Sequence, residues 1–271
     1  MLTKESYVDL PTSTTPMRVF VIEPNLPSYP NAKFPAVIVW SEIYQVTGPV
    51  SRFATQIASQ GYIVCCPSVY HEFEGPEPLA YDEKGTDRGN VLKVEKELKA
   101  YDEDAKLVVD WLLNESARCS GRVGSTGMCL GGHLAFRTAF DPRVSAAVCF
   151  FPTDIHSETL GRNERSNTLS LVSQGSLSHA ELLILLGKQD THIPRAGRDL
   201  IRKTLEDADV VVSWCEYQAQ HAFIRDTSSK NRYDAALTAV CFQQMLELFH
   251  RTLVLDLGQK VGASGKIEHV C

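Results

Sequence analysis

Short apolar runs rich in Val and Ile alternate along the chain with longer stretches whose apolar positions recur every three or four residues. A short apolar run between polar breaks marks a strand buried on both faces, and the longer period marks a helix laid against a core. The pattern predicts strands over 17–23, 36–40, 62–66, 122–126, 144–150, 182–186 and 210–216. It predicts helices over 51–60, 91–114, 130–140, 196–208 and 233–252. In the last of these, Leu237, Val240, Met245, Leu248 and Phe249 fit one buried face. Strand and helix in alternation imply parallel strands joined by crossover helices, so the fold class is α/β: a mostly parallel central sheet with helices on both faces. Two polar stretches interrupt the rhythm, 70–90 with Pro, Gly and charge, and 153–179 with Ser, Asn and Thr. Both lie between core elements, where either a substrate-gating segment or a solvated loop is expected. One domain is expected over 1–257, with 258–271 as a loosely docked C-terminal tail.

At 271 residues, 44% of them hydrophobic, the chain can bury a sizeable core. Its 27 basic residues against 33 acidic ones leave a formal charge of −6, with no dense Lys/Arg block. Nucleic acid and anionic membrane surfaces are therefore not expected partners. The longest apolar runs, 144–151 and 182–186, fall far short of the roughly 20 residues that cross a bilayer. The first residues, MLTKESYVDLPTST, lack the apolar stretch and cleavage site of a secretory signal, so a cytoplasmic location is expected. The eight cysteines, at 65, 66, 119, 129, 149, 215, 241 and 271, form no CxxC, and several sit in apolar runs. Reduced thiols there pack as small hydrophobes, and no disulfide framework is expected.

The sharpest chemical signal is Gly127-Met128-Cys129-Leu130-Gly131-Gly132, between the strand-like RVGST and the helix-like LAFRTAF. This is the layout of a nucleophile elbow with sulfur in place of a hydroxyl. Such a turn tolerates only small neighbours two residues either side of the nucleophile, and Gly127 and Gly131 meet that demand. The following helix would favour thiolate and set the Leu130 N–H where an oxyanion develops. A buried Cys in a Gly-rich turn is the plainer reading. A nucleophile on such a sheet also needs an acid and then a histidine after later strands. The strand 182–186 is followed by Gly187-Lys188-Gln189-Asp190, and 210–216 by Tyr217-Gln218-Ala219-Gln220-His221. In that order His221 would be the base and Asp190 would fix its tautomer. Asp190 could instead cap a helix, and His192 competes with His221, although it shares a loop with the acid. The other histidines show no metal-ligand spacing, so neither a metal nor an organic cofactor is expected.

With these residues in place, the chain resembles the dienelactone hydrolase (carboxymethylenebutenolidase) family of the α/β-hydrolase fold. GMCLGG matches that family's cysteine elbow, GKQD its acid loop and QHAF its histidine loop, over roughly 34–253. The resemblance implies a cysteine hydrolase that cleaves an enol lactone or activated ester of a small acid through a Cys129 acyl-thioester. It implies that Glu42, in Trp40-Ser41-Glu42-Ile43, lies against the resting thiol and accepts its proton, and the Ile43 N–H would be the second oxyanion donor. It also implies that Arg225, four residues after His221, and Arg88, in the polar stretch upstream, grip an anionic substrate. The family's pocket aromatics are not evident after Arg88, where Asn90-Val-Leu-Lys-Val-Glu stands, so a re-lined pocket is expected. The expected partner is a small-molecule lactone or ester, with the chain a monomer or weak homo-oligomer. The alternatives are a general carboxylesterase or thioesterase with the same triad, and a non-catalytic protein of this fold that binds a small ligand.

Overall fold

The structure, a computed structural model, describes residues 1–162 and 165–255, so the expected tail 258–271 lies outside the described residues. It begins with a hairpin of β1 (Thr3–Leu10) and β2 (Met17–Pro24), followed by β3 (Phe34–Trp40), α1 (Gly48–Ser59) and β4 (Ile63–Pro67). Two helices come next, α2 (Glu83–Glu95) and α3 (Leu98–Asn114), then β5 (Cys119–Met128), α4 (Leu130–Thr138) and β6 (Val144–Phe150). The short α5 (Thr168–Ser173) precedes β7 (Glu181–Gly187), α6 (Arg195–Asp207), β8 (Val211–Tyr217) and α7 (Ala235–Phe249), which runs into a π-helical turn at His250–Val254. The strands form one sheet in the order β1-β2-β4-β3-β5-β6-β7-β8. Only β1 with β2 and β2 with β4 pair antiparallel, and every pair from β4 and β3 through β8 is parallel.

All seven expected strands form. β4 is buried at every position, and so are the inner residues of β3, β6 and β7, which explains why these strands read as unbroken apolar runs. The eighth strand, β1, was not expected. It is an edge strand exposed along most of its length, with Tyr7 and Thr3–Ser6 largely in solvent, and it forms because β2 supplies every ladder partner from Thr3 to Leu10. Among the described residues no helix is long and apolar enough to cross a membrane.

The largest difference from the sequence pattern lies between 83 and 114, where two helices replace the single expected one and absorb the end of the polar stretch 70–90. Neither Gly nor Pro marks the break. Lys96 and Glu97 adopt extended backbone, and the Lys96 side chain turns into the interior. Its ammonium donates to Asp104 Oδ2 at 2.7 Å and pairs with Glu72 at 2.9 Å. His71 closes the cluster, with Nε2 3.1 Å from Asp104 Oδ1 and Nδ1 2.8 Å from the Thr15 carbonyl. A fully buried ammonium costs several kcal/mol to dehydrate, and only such a ring of partners offsets it. Tertiary charge pairing thus fixes where α2 ends, and with it which face of α2 looks inward.

Removing one partner of this cluster strands the others. Lys96→Met is expected to lower unfolding free energy by about 3 kcal/mol or more in urea titration. A loss below about 0.5 kcal/mol would show that the cluster does not hold the α2–α3 junction.

Candidate active site

Three loops at the carboxyl ends of β5, β7 and β8 bring the expected triad together. Cys129 follows β5 with φ +60° and ψ −121°, a conformation that L-residues rarely adopt. It holds because the neighbours leave no alternative path. A Cβ at Gly131 would sit 2.1 Å from the Trp40 carbonyl oxygen, and one at Gly127 would sit 2.2 Å from the Gly131 carbonyl oxygen. The turn is tied to β6 by the Cys129 N–H, which donates to the Phe150 carbonyl at 3.1 Å. The Thr153 N–H in turn donates to the Cys129 carbonyl at 3.2 Å. Behind it α4 is fastened to the sheet by Trp40 Nε1 donating to Thr138 and by Ser125 donating to the Ala135 carbonyl.

The acid and histidine loops are joined to each other. The N–H groups of Lys188 and Gln189 donate to the Tyr217 and Ala219 carbonyls, and a Cβ at Gly187 would lie 2.3 Å from the Ala219 oxygen. That close approach is why a glycine opens GKQD. Asp190 Oδ2 lies 2.7 Å from His221 Nδ1, and Asp190 Oδ1 accepts from the His192 N–H at 2.8 Å. Burial alone would raise the Asp190 carboxyl, but the His221 hydrogen bond and charge hold it below the usual range. Burial would likewise push the His221 imidazole toward neutrality. The negative charge of the Cys129 sulfur, with the hydrogen bonds to Asp190 and to that sulfur, instead raises its pKa to about 10. The Phe151 ring meets the imidazole edge at a centroid distance of 4.9 Å and fixes its plane.

Cys129 and His221 open into a cavity of about 500 Å³, within the size range of small-molecule sites. Glu42, Ile43 and Arg225 line it as well. Glu42 lines the same cavity as the sulfur, and among the described residues its hydrogen bonds go elsewhere. It pairs with Arg225 NH1 at 3.3 Å through both oxygens and accepts from the Tyr81 hydroxyl at 3.0 Å. Buried opposite charges find each other, and in this structure the sulfur's partner is His221. Arg225 also rests on the Tyr81 ring, 4.4 Å from its centroid. The N–H of Leu130 opens α4, so it has no intrahelical acceptor. The Ile43 N–H has no protein acceptor among the described residues.

Of the two arginines expected to grip substrate, Arg225 lines the cavity and Arg88 does not. Thr86, Asn90 and Lys93 line it from α2, four and three residues apart on one helical face. Two residues from Thr86 the helix has turned by about 200°, so Arg88 points away. It donates to Glu74 Oε1 at 2.6 Å with its side chain 41% exposed. The expected re-lining is present in another form, because Tyr44 and Tyr81 supply aromatic walls from other loops. The cavity also holds groups that sequence reasoning did not select: Lys93, which pairs with Asp154 at 2.9 Å, His156 and Arg232. His192 stands beside His221, ring centroids 4.4 Å apart, and not in its place. The first residues of 153–179 thus line the cavity, while its α5 packs against α6 and is tied to α4 by Thr168, which bonds His133 and Arg137. Among the described residues no three His, Cys, Asp or Glu side chains converge as a metal ion would require.

The family model described as "Dienelactone hydrolase family" matches residues 17–253. A Saccharomyces cerevisiae protein provisionally named a carboxymethylenebutenolidase is 52% identical over the whole of both chains. The carboxymethylenebutenolidase of Pseudomonas putida is 26% identical over 80% of this chain and 85% of its own. A Klebsiella pneumoniae crystal structure provisionally assigned as a dienelactone hydrolase superposes with a TM-score of 0.78 at 23% identity, covering 93% of this chain and all of the other.

The described cysteines differ sharply in surroundings. Burial pushes the thiols of Cys65, Cys66, Cys119, Cys149 and Cys241 up, while Cys129 is half-buried beside a cationic imidazole. Iodoacetamide at pH 7 should label Cys129 at least about 10-fold faster than any other described cysteine, and His221→Gln should remove that advantage. Peptide mapping that finds Cys129 no faster than Cys215 would contradict the pairing.

Proposed function

Because the chain belongs to the dienelactone hydrolase family, we propose that it is a hydrolase that opens an enol lactone, or cleaves an activated ester of a small acid, by attack of the Cys129 sulfur on the carbonyl carbon. The observation that carries this reading is the Cys129–His221–Asp190 constellation facing the cavity. Seven free cysteines among the described residues suit a reducing compartment, which supports a cytoplasmic place for it. A monomer or weak homo-oligomer remains the proposed state.

The proposed sequence follows the movement of charge. The sulfur attacks, and the carbonyl oxygen gathers negative charge next to the Leu130 and Ile43 N–H groups. The C–O bond breaks, and the departing oxygen takes the proton from the His221 imidazolium. Acylation removes the sulfur's negative charge, the influence that most raises the imidazole pKa. Burial then favours neutral His221, which accepts a proton from water as that water attacks the thioester, and collapse returns the thiolate. Asp190 holds the imidazole in one tautomer throughout. Glu42 stays paired with Arg225 through this sequence, because the proton it would take from a thiol already sits on His221.

The direct test is steady-state hydrolysis of a dienelactone and of a short p-nitrophenyl ester by the parent protein and Cys129→Ala. Lactone turnover lost by at least about 10⁴-fold in the variant is the expected result. Ester turnover alone would mark a general esterase, and saturable lactone binding without product would mark a binding protein. The pH profile gives a second test. The free enzyme needs a protonated His221, whose raised pKa keeps it so across the neutral range. kcat/KM should therefore hold as pH rises and fall only near pH 10. A fall centred near the ordinary histidine value of about 6.5 would contradict the ion pair.

A further inference from the structure

The cavity walls carry more positive than negative charge. Glu42 and Asp154 are the carboxylates, against Lys93, Arg225, Lys230 and Arg232. Arg225 is taken by Glu42 and Lys93 by Asp154. Lys230 and Arg232 remain, and neither forms an ion pair among the described residues. Both stand on the segment between His221 and α7, which is a built element. Ser228, Lys230 and Asn231 all hold positive φ, at 55°, 53° and 62°. Such backbone persists only where surrounding contacts impose it. Here Arg52 forks onto the two oxygens of Asp226 at 2.6 Å each, Arg225 NH2 donates to the Ser228 carbonyl at 3.1 Å, and the Asp234 N–H donates to the Phe223 carbonyl at 2.9 Å.

Within that segment Arg232 is half-buried and oriented. Its Nε donates to the Ser229 carbonyl at 2.8 Å, which aims the guanidinium, and among the described residues neither terminal nitrogen has a protein acceptor. It faces the same cavity as Cys129, and its charge is felt by His192 beside the catalytic imidazole. A planar guanidinium fixed at Nε, with two free N–H₂ groups in a concave site, matches a carboxylate in geometry and charge.

We infer that Arg232, and not Arg88, is the specificity-determining cation that grips the carboxylate of the substrate, with Lys230 adding long-range attraction at the rim. This rests on the reading that the substrate is a small unsaturated acid derivative. The segment 226–234 then reads one end of the molecule while Cys129 attacks the other. Arg88, tied to Glu74 on the far face of α2, takes no part.

Two measurements test this, one of them independent of turnover. Sorbate, a flat unsaturated carboxylate, and the neutral sorbamide serve as binding probes in calorimetric titration of the parent, Arg232→Gln, Arg232→Lys and Arg88→Gln. Sorbate should bind more tightly than sorbamide to the parent, and Arg232→Gln should weaken sorbate about 10- to 100-fold, the range of a lost charge-assisted pair. Arg232→Lys should recover part of the loss and Arg88→Gln should match the parent. In turnover, the ratio of kcat/KM for a carboxylate-bearing enol lactone to that for its methyl ester should fall by a similar factor in Arg232→Gln, mainly through KM. Sorbate binding equally well to parent and Arg232→Gln, or weakened by Arg88→Gln in its place, would overturn the assignment. Sorbate binding that depends on Arg232 in a protein that turns over no lactone would keep the subsite and overturn the hydrolase reading.

Discussion

The site depends on one backbone constraint, the left-handed conformation of Cys129 at the end of β5. An ordinary β-to-α transition would point this side chain along the sheet and leave the sulfur among the strands, as at Cys65, Cys66 and Cys149. The strained turn lifts it out of the core at the start of α4. That turn exists because the Trp40 and Ser41 carbonyls press on Gly131 from one side and the Gly131 carbonyl presses on Gly127 from the other. A methyl group at either glycine would have to displace backbone. The strain, of order 1–3 kcal/mol, is offset by the packing of β3, β5 and β6 beneath it, buried over Val123–Met128 of β5 and in parallel register.

Charge around the sulfur is arranged in pairs, and the pairs assign work. His221 lies between Asp190 and Cys129, and both neighbours favour its protonated form; the proposed release of that proton follows when the sulfur is acylated. Glu42 and Arg225 form a second buried pair in the same cavity, with Tyr81 as a hydroxyl donor, and Lys93 with Asp154 form a third. Each pair lowers the cost of keeping a charge in a cavity of limited hydration. Arg232, with no such partner among the described residues, is therefore conspicuous on chemical grounds.

What the sequence reveals divides along the line between local and tertiary causes. GMCLGG, GKQD and QHAF were legible because each glycine or turn residue answers a steric demand within a few residues, and because buried parallel strands announce themselves as apolar runs. The edge strand β1 carries no such run, since its stability comes from pairing with β2 and not from burial. The break between α2 and α3 has no helix-breaking residue, because it is imposed by Lys96 turning inward to Asp104, Glu72 and His71. The position of Arg88 failed for the same reason: spacing along the chain located it, but the tertiary packing of α2 set its azimuth, and the azimuth faces Glu74. The Glu42–Arg225 pair was equally out of reach, being 183 residues apart in sequence.

The central claim is that catalysis passes through a covalent bond to the sulfur that the strained turn exposes. Rapid quenching of the protein with a dienelactone, followed by mass spectrometry of the peptide that contains Cys129, tests it directly. Ring opening leaves the departing oxygen tethered to the acyl group, so the account predicts a transient adduct on Cys129 with the full mass of the lactone. Complete turnover with that peptide unmodified at every quench time would contradict it.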